Sequence, residues 1–348
     1  MSDAERPITV LDYEPLARSL VEPGAWGYYA GGAGDEVSLG DARAAWDRVR
    51  LRPRVLVDVA ERDLATSAFG QHLAHPVMVA PMAAHDFAHP DAERATARGA
   101  SDAGALMTLS TISAVPMEEV AATAPDAPRW FQLYPPSDRE ACRALVDRAV
   151  GAGYSAVAVT VDLPLPGNRE RDRRSKFVLH MGVHLPEDQP TDERGIVELP
   201  TFAWEDLDWL RSICPVPLVA KGILRADDAE RAVAAGCDGI WVSNHGGRQL
   251  DTAIAGIEAL LEIAAAVGDR ALLVVDGGVR RGIDVLKGLA LGADLVAVGR
   301  PILWGLAVGG TDGVRHVLEI VRDELSLAMA LAGARSIREI TPDLITAR

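Results

Sequence analysis

Cysteine is scarce: Cys142, Cys214 and Cys237 are the three in 348 residues. None forms a CxxC pair and no His/Cys cluster has zinc spacing. That argues against a disulfide scaffold or a bound metal and makes a reduced, cytoplasmic protein the expectation. Net positive charge is lacking as well. Asp and Glu number 50 against 35 Lys and Arg, a formal charge of −15. Phosphate backbones and anionic membranes need a basic surface, so neither nucleic acid nor membrane is an expected partner. No apolar run is long enough to span a bilayer. The start, Met1 to Pro7, lacks the basic and apolar regions of a secretory signal, so none is expected. Low-complexity tracts are absent.

What the chain does have is 49% hydrophobic residues with 32 Gly and 21 Pro, enough for a large core with many turns. Residues 11–21 and 36–49 carry helical periodicity. Between them the pair Tyr28-Tyr29 precedes Ala30-Gly31-Gly32, which predicts a closely packed helix ending at glycine. From about residue 70 apolar runs alternate with helical segments. The runs are 76–80, 105–109, 130–134, 156–160, 216–220, 240–242, 271–275 and 295–298. They are continuously apolar, as strands buried on both faces are. Eight strand–helix units in about 250 residues predict an α/β fold, a (β/α)8 barrel rather than a doubly wound sheet. Glycines at 104, 153, 236 and 292 read as helix stops. The stretch 163–203 breaks the rhythm with five prolines, many charges and little periodicity. So long a connection suggests a lid. The reading is one domain over 1–348, with helices in 1–55 and the lid after the fourth strand.

In such a barrel the chemistry sits at the C-terminal strand ends. Those positions hold Pro81-Met82-Ala83, then Ser110, then Gln132 with Tyr134, then Thr160 with Asp162. Lys221 follows the fifth strand, and Ser243, His245 and Arg248 follow the sixth. Asp276-Gly277-Gly278 follows the seventh and Gly299-Arg300 the eighth. Singly, each reads equally well as a satisfied turn residue; together they ring one mouth with hydrogen-bonding groups, cations and a base. The last two turns, 276–282 with Arg280 and 299–301, open helices with glycine and arginine, which favours phosphate. Ser110, Gln132 and Thr160 suit the edge of a flavin ring, and Lys221 a ring that becomes anionic on reduction. Asp162 can stabilise protonated His245, or simply cap a turn. Arg248 and Arg169 are candidate carboxylate clamps, although the cluster 169–174 also fits a solvated face.

Ser243-Asn244-His245-Gly246-Gly247-Arg248-Gln249-Leu250-Asp251, with Asp276-Gly277-Gly278-Val279-Arg280-Arg281-Gly282, resembles the FMN-dependent 2-hydroxy acid oxidases and dehydrogenases. The resemblance runs from about Tyr13 to Glu339. Residues 130–134 and 167–172 look closest to the lactate oxidase branch. The resemblance implies FMN and a small 2-hydroxy acid substrate, with His245 as base and Asp162 as its support. It implies Arg169, Arg248 and Tyr28 on the carboxylate and Tyr134 on the hydroxyl. Ala83, Ser110, Gln132, Thr160, Lys221 and Ser243 would meet the ring and ribityl chain. Asp276, Gly278, Arg280, Gly299 and Arg300 would hold the ribityl chain and phosphate. Tyr28, rather than Tyr29, falls on the matching position.

The sequence also departs from the family pattern. Met82 stands where Thr or Ile is frequent, Ile112 stands where glycolate oxidase has Trp, and the 163–203 connection is shorter than usual. The expected activity is oxidation of an L-2-hydroxy acid with oxygen as acceptor, giving peroxide, in a homotetramer. A dehydrogenase using a quinone or carrier, a pathway-specific oxidase of an aryl hydroxy acid or modified peptide, and a non-enzymatic flavin binder are the competing readings. A binder has no use for a base at position 245.

Overall fold

The structure, a computed structural model, describes residues 6–180 and 182–346. Eight parallel strands close a barrel: β3 (Val77–Val79), β4 (Leu106–Ser110), β5 (Arg129–Leu133), β6 (Val157–Thr160), β7 (Leu218–Ile223), β8 (Gly239–Val242), β9 (Leu272–Val275) and β10 (Leu295–Val298). Each pairs with its sequence neighbour, and β10 pairs with β3 to complete the ring. The intervening helices are α4 (Ala92–Asp102), α5 (Met117–Thr123), α6 (Arg139–Gly151), α8 (Trp204–Ile213), α9 (Ala226–Ala234), α10 (Gly256–Val267) and α11 (Gly282–Ala290). The last, α12 (Arg300–Ala332), is broken by non-helical geometry at Gly309 and Gly310. The rhythm in the sequence is thus the barrel. The four glycine stops follow their helices with φ between 71° and 104°.

Strand side chains alternate between two environments, as the period of two requires. One set, with Val79, Leu109, Phe131, Val159 and Val296, faces the helices; the other, with Met78, Leu106, Trp130, Val219, Trp241, Val274 and Leu295, fills the barrel. A hairpin that the apolar runs did not reveal, β1 (Thr66–Ala68) with β2 (Gln71–Leu73), joins the second set. Its Phe69 packs against Trp130, ring centroids 5.5 Å apart. The barrel is therefore a filled core below an open upper mouth.

Three helices precede the barrel: α1 (Tyr13–Leu20), α2 (Pro23–Ala30) and α3 (Val37–Arg48). α2 stops at Gly31 as expected, and Gly31 has φ −71°. The last carbonyls of the helix are satisfied by side chains. Arg248 donates to the carbonyls of Tyr28 and Gly31, and Arg300 to those of Tyr29 and Gly31. Two cations at the negative end of the helix do the work of a capping residue. Residues 163–203 contain the short helix α7 (Glu170–Ser175), which packs on α2, and an isolated bridge between Thr191 and Val197. No helix among the described residues is long and apolar enough to cross a membrane.

Candidate active site

Following the barrel-filling set of side chains upward changes their chemistry. On β4 Leu106 leads through Thr108 to Ser110; on β5 Trp130 leads to Gln132; on β6 Ala158 leads to Thr160. On β7 Val219 leads to Lys221, beyond β8 Trp241 leads to Ser243, and beyond β9 Val274 leads to Asp276. The apolar lower layers thus end in one polar layer at the top, and the same period of two places every member of it. Strand pairing sets Ser110 beside Gln132 and Thr160 beside Lys221. A chain of hydrogen bonds runs through this layer: Ser110 Oγ donates to Gln132 Oε1 at 3.1 Å, and Gln132 Nε2 to Thr160 Oγ1 at 2.9 Å. Lys221 Nζ lies 3.4 Å from Ser243 Oγ and 3.8 Å from Asp276. Trp241 Nε1 donates to Asp276 Oδ2 at 3.0 Å, while the buried Oδ1 has no partner.

Above this layer the backbone turns sharply. His245, Gly246 and Gly247 have φ of 57°, 65° and 73°. Two glycines meet that demand without strain; a histidine does so at a cost, and such strain persists where the surrounding structure fixes a functional side chain. His245 Nδ1 lies 3.0 Å from Asp162 Oδ1. Burial alone would raise the Asp162 carboxyl, but the charge and hydrogen bond of His245, with Lys221 beyond, hold it below its ordinary value. Asp162 is therefore an acceptor, and Nδ1 carries the proton. Burial pulls the imidazole below its ordinary value against the pull of Asp162. Its bare Nε2 faces the cavity, 3.4 Å from the Tyr134 hydroxyl. That is the form of a general base.

Arginines surround this base. Arg169 and Arg248 line the same cavity, with the Arg248 guanidinium 4.6 Å from the centre of the Tyr28 ring. Arg169 is buried, whereas Arg171 and Arg174 pair with Glu36 and Glu170 at the surface. The solvated-face reading fits those two and not Arg169. Tyr29 donates its hydroxyl to the Ala84 carbonyl; the Tyr28 hydroxyl has no such protein partner among the described residues. Arg169, Arg280 and Arg300 have no carboxylate partner among the described residues. Burial pulls them down to about 10, about 10 and about 9. A guanidinium stays charged at such values, so the mouth is an anion trap with two poles. Arg169 and Arg248 form one beside His245. Arg280 and Arg300 form the other, beside the turn at Gly277-Gly278 and the N-terminus of α12 at Gly299.

The cavity uniting these groups encloses about 1100 Å³ between atoms, its open mouth included. Ala83, Ser110, Gln132, Tyr134, Thr160, Lys221, His245, Asp276, Gly278, Gly299 and Arg300 all line it; Ser243 and Asp162 stand just behind. Several participants had no role assigned from the sequence. Gln249 donates to the Asp162 carbonyl at 2.7 Å and accepts from Arg169. Thr111 donates to the Gln132 carbonyl and accepts the Tyr134 N–H. Leu163, Leu179, Ile196 and Val197 line the cavity too, all four from the aperiodic lid.

A filled barrel bearing a base–carboxylate pair and a phosphate-type pole at its upper mouth defines a cofactor-dependent barrel enzyme. The pattern of the FMN-dependent dehydrogenases matches residues 17–347, and the chain belongs to that family. It is 48% identical to an L-lactate oxidase of Nostoc sp., covering 98% of both chains. It is 45% identical to the human 2-hydroxyacid oxidase 1, covering 98% of this chain and 96% of that one. The solved structure of a mandelate oxidase with (S)-2-phenylpropionate superposes with a TM-score of 0.89 at 42% identity, covering 99% of each chain. The cradle suits FMN on its own chemistry: Asp276 Oδ1 is buried with no hydrogen-bond partner, and Arg280 and Arg300 have no carboxylate partner, among the described residues.

Proposed function

We propose that the protein oxidises an L-2-hydroxy acid to the 2-oxo acid and passes the electrons to oxygen, giving hydrogen peroxide. The observation that carries this is the His245–Asp162 pair, whose bare Nε2 opens into the cavity that Arg169 and Arg248 also line. FMN, when bound, supplies the acceptor for the α-hydrogen and its electron pair, and delivers both electrons onward. Ala83, Ser110, Gln132, Thr160, Lys221 and Ser243 hold the ring and ribityl chain; Asp276, Gly278, Arg280, Gly299 and Arg300 hold the ribityl chain and phosphate. Lys221 offsets negative charge that develops on the ring.

The chain's own residues do the rest. Arg169 and Arg248, with the Tyr28 hydroxyl, fix the substrate carboxylate and so aim the α-carbon. His245 Nε2 takes the hydroxyl proton as the C–H bond breaks and the C=O bond forms. Asp162 keeps the imidazole in the required tautomer and stabilises the imidazolium that results. Tyr134 hydrogen-bonds the hydroxyl oxygen as charge develops there. The homotetramer is carried over from the family resemblance and the cytoplasmic location from the scarcity of cysteine, and light scattering of the purified holoenzyme tests the first.

Anaerobic mixing of the holoenzyme with 2-hydroxy acids, followed by oxygen, tests the activity. Bleaching of the flavin, then fast reoxidation with stoichiometric peroxide, is the expected result. Bleaching with slow reoxidation points to a quinone or carrier protein as acceptor. A flavin that stays yellow with every acid removes the proposal.

A further inference from the structure

The polar groups make only part of the cavity wall; much of the remainder is hydrocarbon. Ile112 follows β4, and Leu163, Leu179, Ile196 and Val197 come from the lid. All five are between 2% and 5% exposed. Three of the lid's arginines are paired with acids. Arg194 pairs with Asp192, Arg174 with Glu170, and Arg171 with Glu36. Arg169, at the start of the lid, is the only lid cation among the cavity-lining residues described, and it belongs with Arg248.

This wall is pinned in place. The His184 ring donates to the Thr111 carbonyl at 3.0 Å and accepts the Met117 N–H at 2.9 Å. The Val183 N–H donates to the Ser113 carbonyl, and the Leu199 N–H to the Pro164 carbonyl, each at 3.0 Å. Gly182 lies so close to the loop after β4 that a Cβ there would sit 2.6 Å from both Ile112 Cα and the Thr111 oxygen. Leu179 donates its N–H to the Arg194 carbonyl at 2.8 Å, which brings it next to Ile196 and Val197. The hydrocarbon surface is thus a fixed feature of the site.

We propose that the enzyme selects 2-hydroxy acids with a bulky, uncharged hydrocarbon side chain, branched aliphatic or aryl, packed against Ile112, Leu163, Leu179, Ile196 and Val197. The proposal rests on the activity given above and specifies its substrate. Clamping the carboxylate at Arg169 and Arg248 leaves the substituent on the α-carbon to meet the rest of the cavity. Each methylene that leaves water for such a wall strengthens binding about fourfold. A side chain ending in a second carboxylate or a hydroxyl would lose its water there and find no partner, which costs about 100-fold or more.

The test is kcat/KM of the FMN-loaded enzyme on glycolate, lactate, 2-hydroxy-4-methylpentanoate, mandelate and malate, read together with anaerobic bleaching. The better of the two bulky acids is expected to exceed glycolate by about 30-fold and malate by about 100-fold. Glycolate or malate matching it would overturn this proposal while leaving the oxidation itself intact. Failure of every acid to bleach the flavin would remove the activity and this proposal together. Leu179→Ala, checked for its yellow spectrum, should narrow the bulky-to-glycolate ratio about tenfold; an unchanged ratio would show that this wall does not hold the side chain.

Discussion

The two sides of the cavity are built by different means. The polar side comes from strand ends, where the barrel's alternation fixes which side chains point in and the filled core below fixes their height. The apolar side comes mainly from a segment with one short helix and one isolated bridge, held by hydrogen bonds to neighbouring loops. Side chains on strands of a packed barrel are placed more accurately than those on loops. Proton transfer needs that accuracy; hydrophobic selection tolerates less, because burial is not directional. On the proposed function, the reaction and its selectivity reside in separable parts of one molecule.

The separation is broken most severely on the polar side. His245→Ala should leave a yellow protein whose flavin is reduced by substrate about 10²- to 10⁴-fold more slowly in stopped flow. Rapid reduction retained in that variant would take the base away from position 245. Arg248→Lys should come next, lowering kcat/KM by about 30-fold or more, since a lysine cannot reproduce the planar fork or its seat on the Tyr28 ring. An Arg248→Lys enzyme with ordinary kcat/KM would mean that Arg169 alone holds the carboxylate.

Changes in the lid should be milder. Phe177 stacks on Tyr28 with centroids 5.2 Å apart. Phe177→Leu should raise KM about two- to tenfold with kcat little changed, because the aromatic contact orients Tyr28 without touching the reacting atoms. A large fall in kcat instead would show that the two sides are coupled.

The smallest effect concerns pH and stability. Burial pulls His184 below its ordinary value of 6.5, and its Nε2 must stay bare to accept the Met117 N–H. The unfolded chain binds that proton more readily, so the stabilisation is complete above about pH 6.5 and is lost as pH falls below it. His184→Gln should flatten the dependence of stability on pH below 6.5 by at most one proton, about 1.4 kcal/mol per pH unit. Parallel unfolding curves for the two proteins at pH 5 and pH 7 would exclude that role.

The same contrast explains what could be read from the sequence. Strand ends were legible because a period of two inside eight apolar runs names its own top layer; Ser110, Gln132, Thr160, Lys221 and Asp276 all follow from counting. The lid was not legible. Leu179 and the pair Ile196-Val197 lie far apart in a charged stretch without periodicity, and the hydrogen bond from Leu179 to Arg194 brings them together. β1 and β2 were hidden because strands of three residues are too short to show alternation. The end of α2 at Gly31 was legible, but the arginines that satisfy its carbonyls were not, since they lie more than 200 residues downstream.

That long-range clasp bears on how the protein matures. Arg300 emerges from the ribosome 271 residues after Tyr29, whose carbonyl it holds together with that of Gly31. The arginine pole it forms with Arg280 therefore cannot exist on a nascent chain until the last barrel strand has been made. Acquisition of yellow colour is then expected to report that the helices before the barrel have met its last strand.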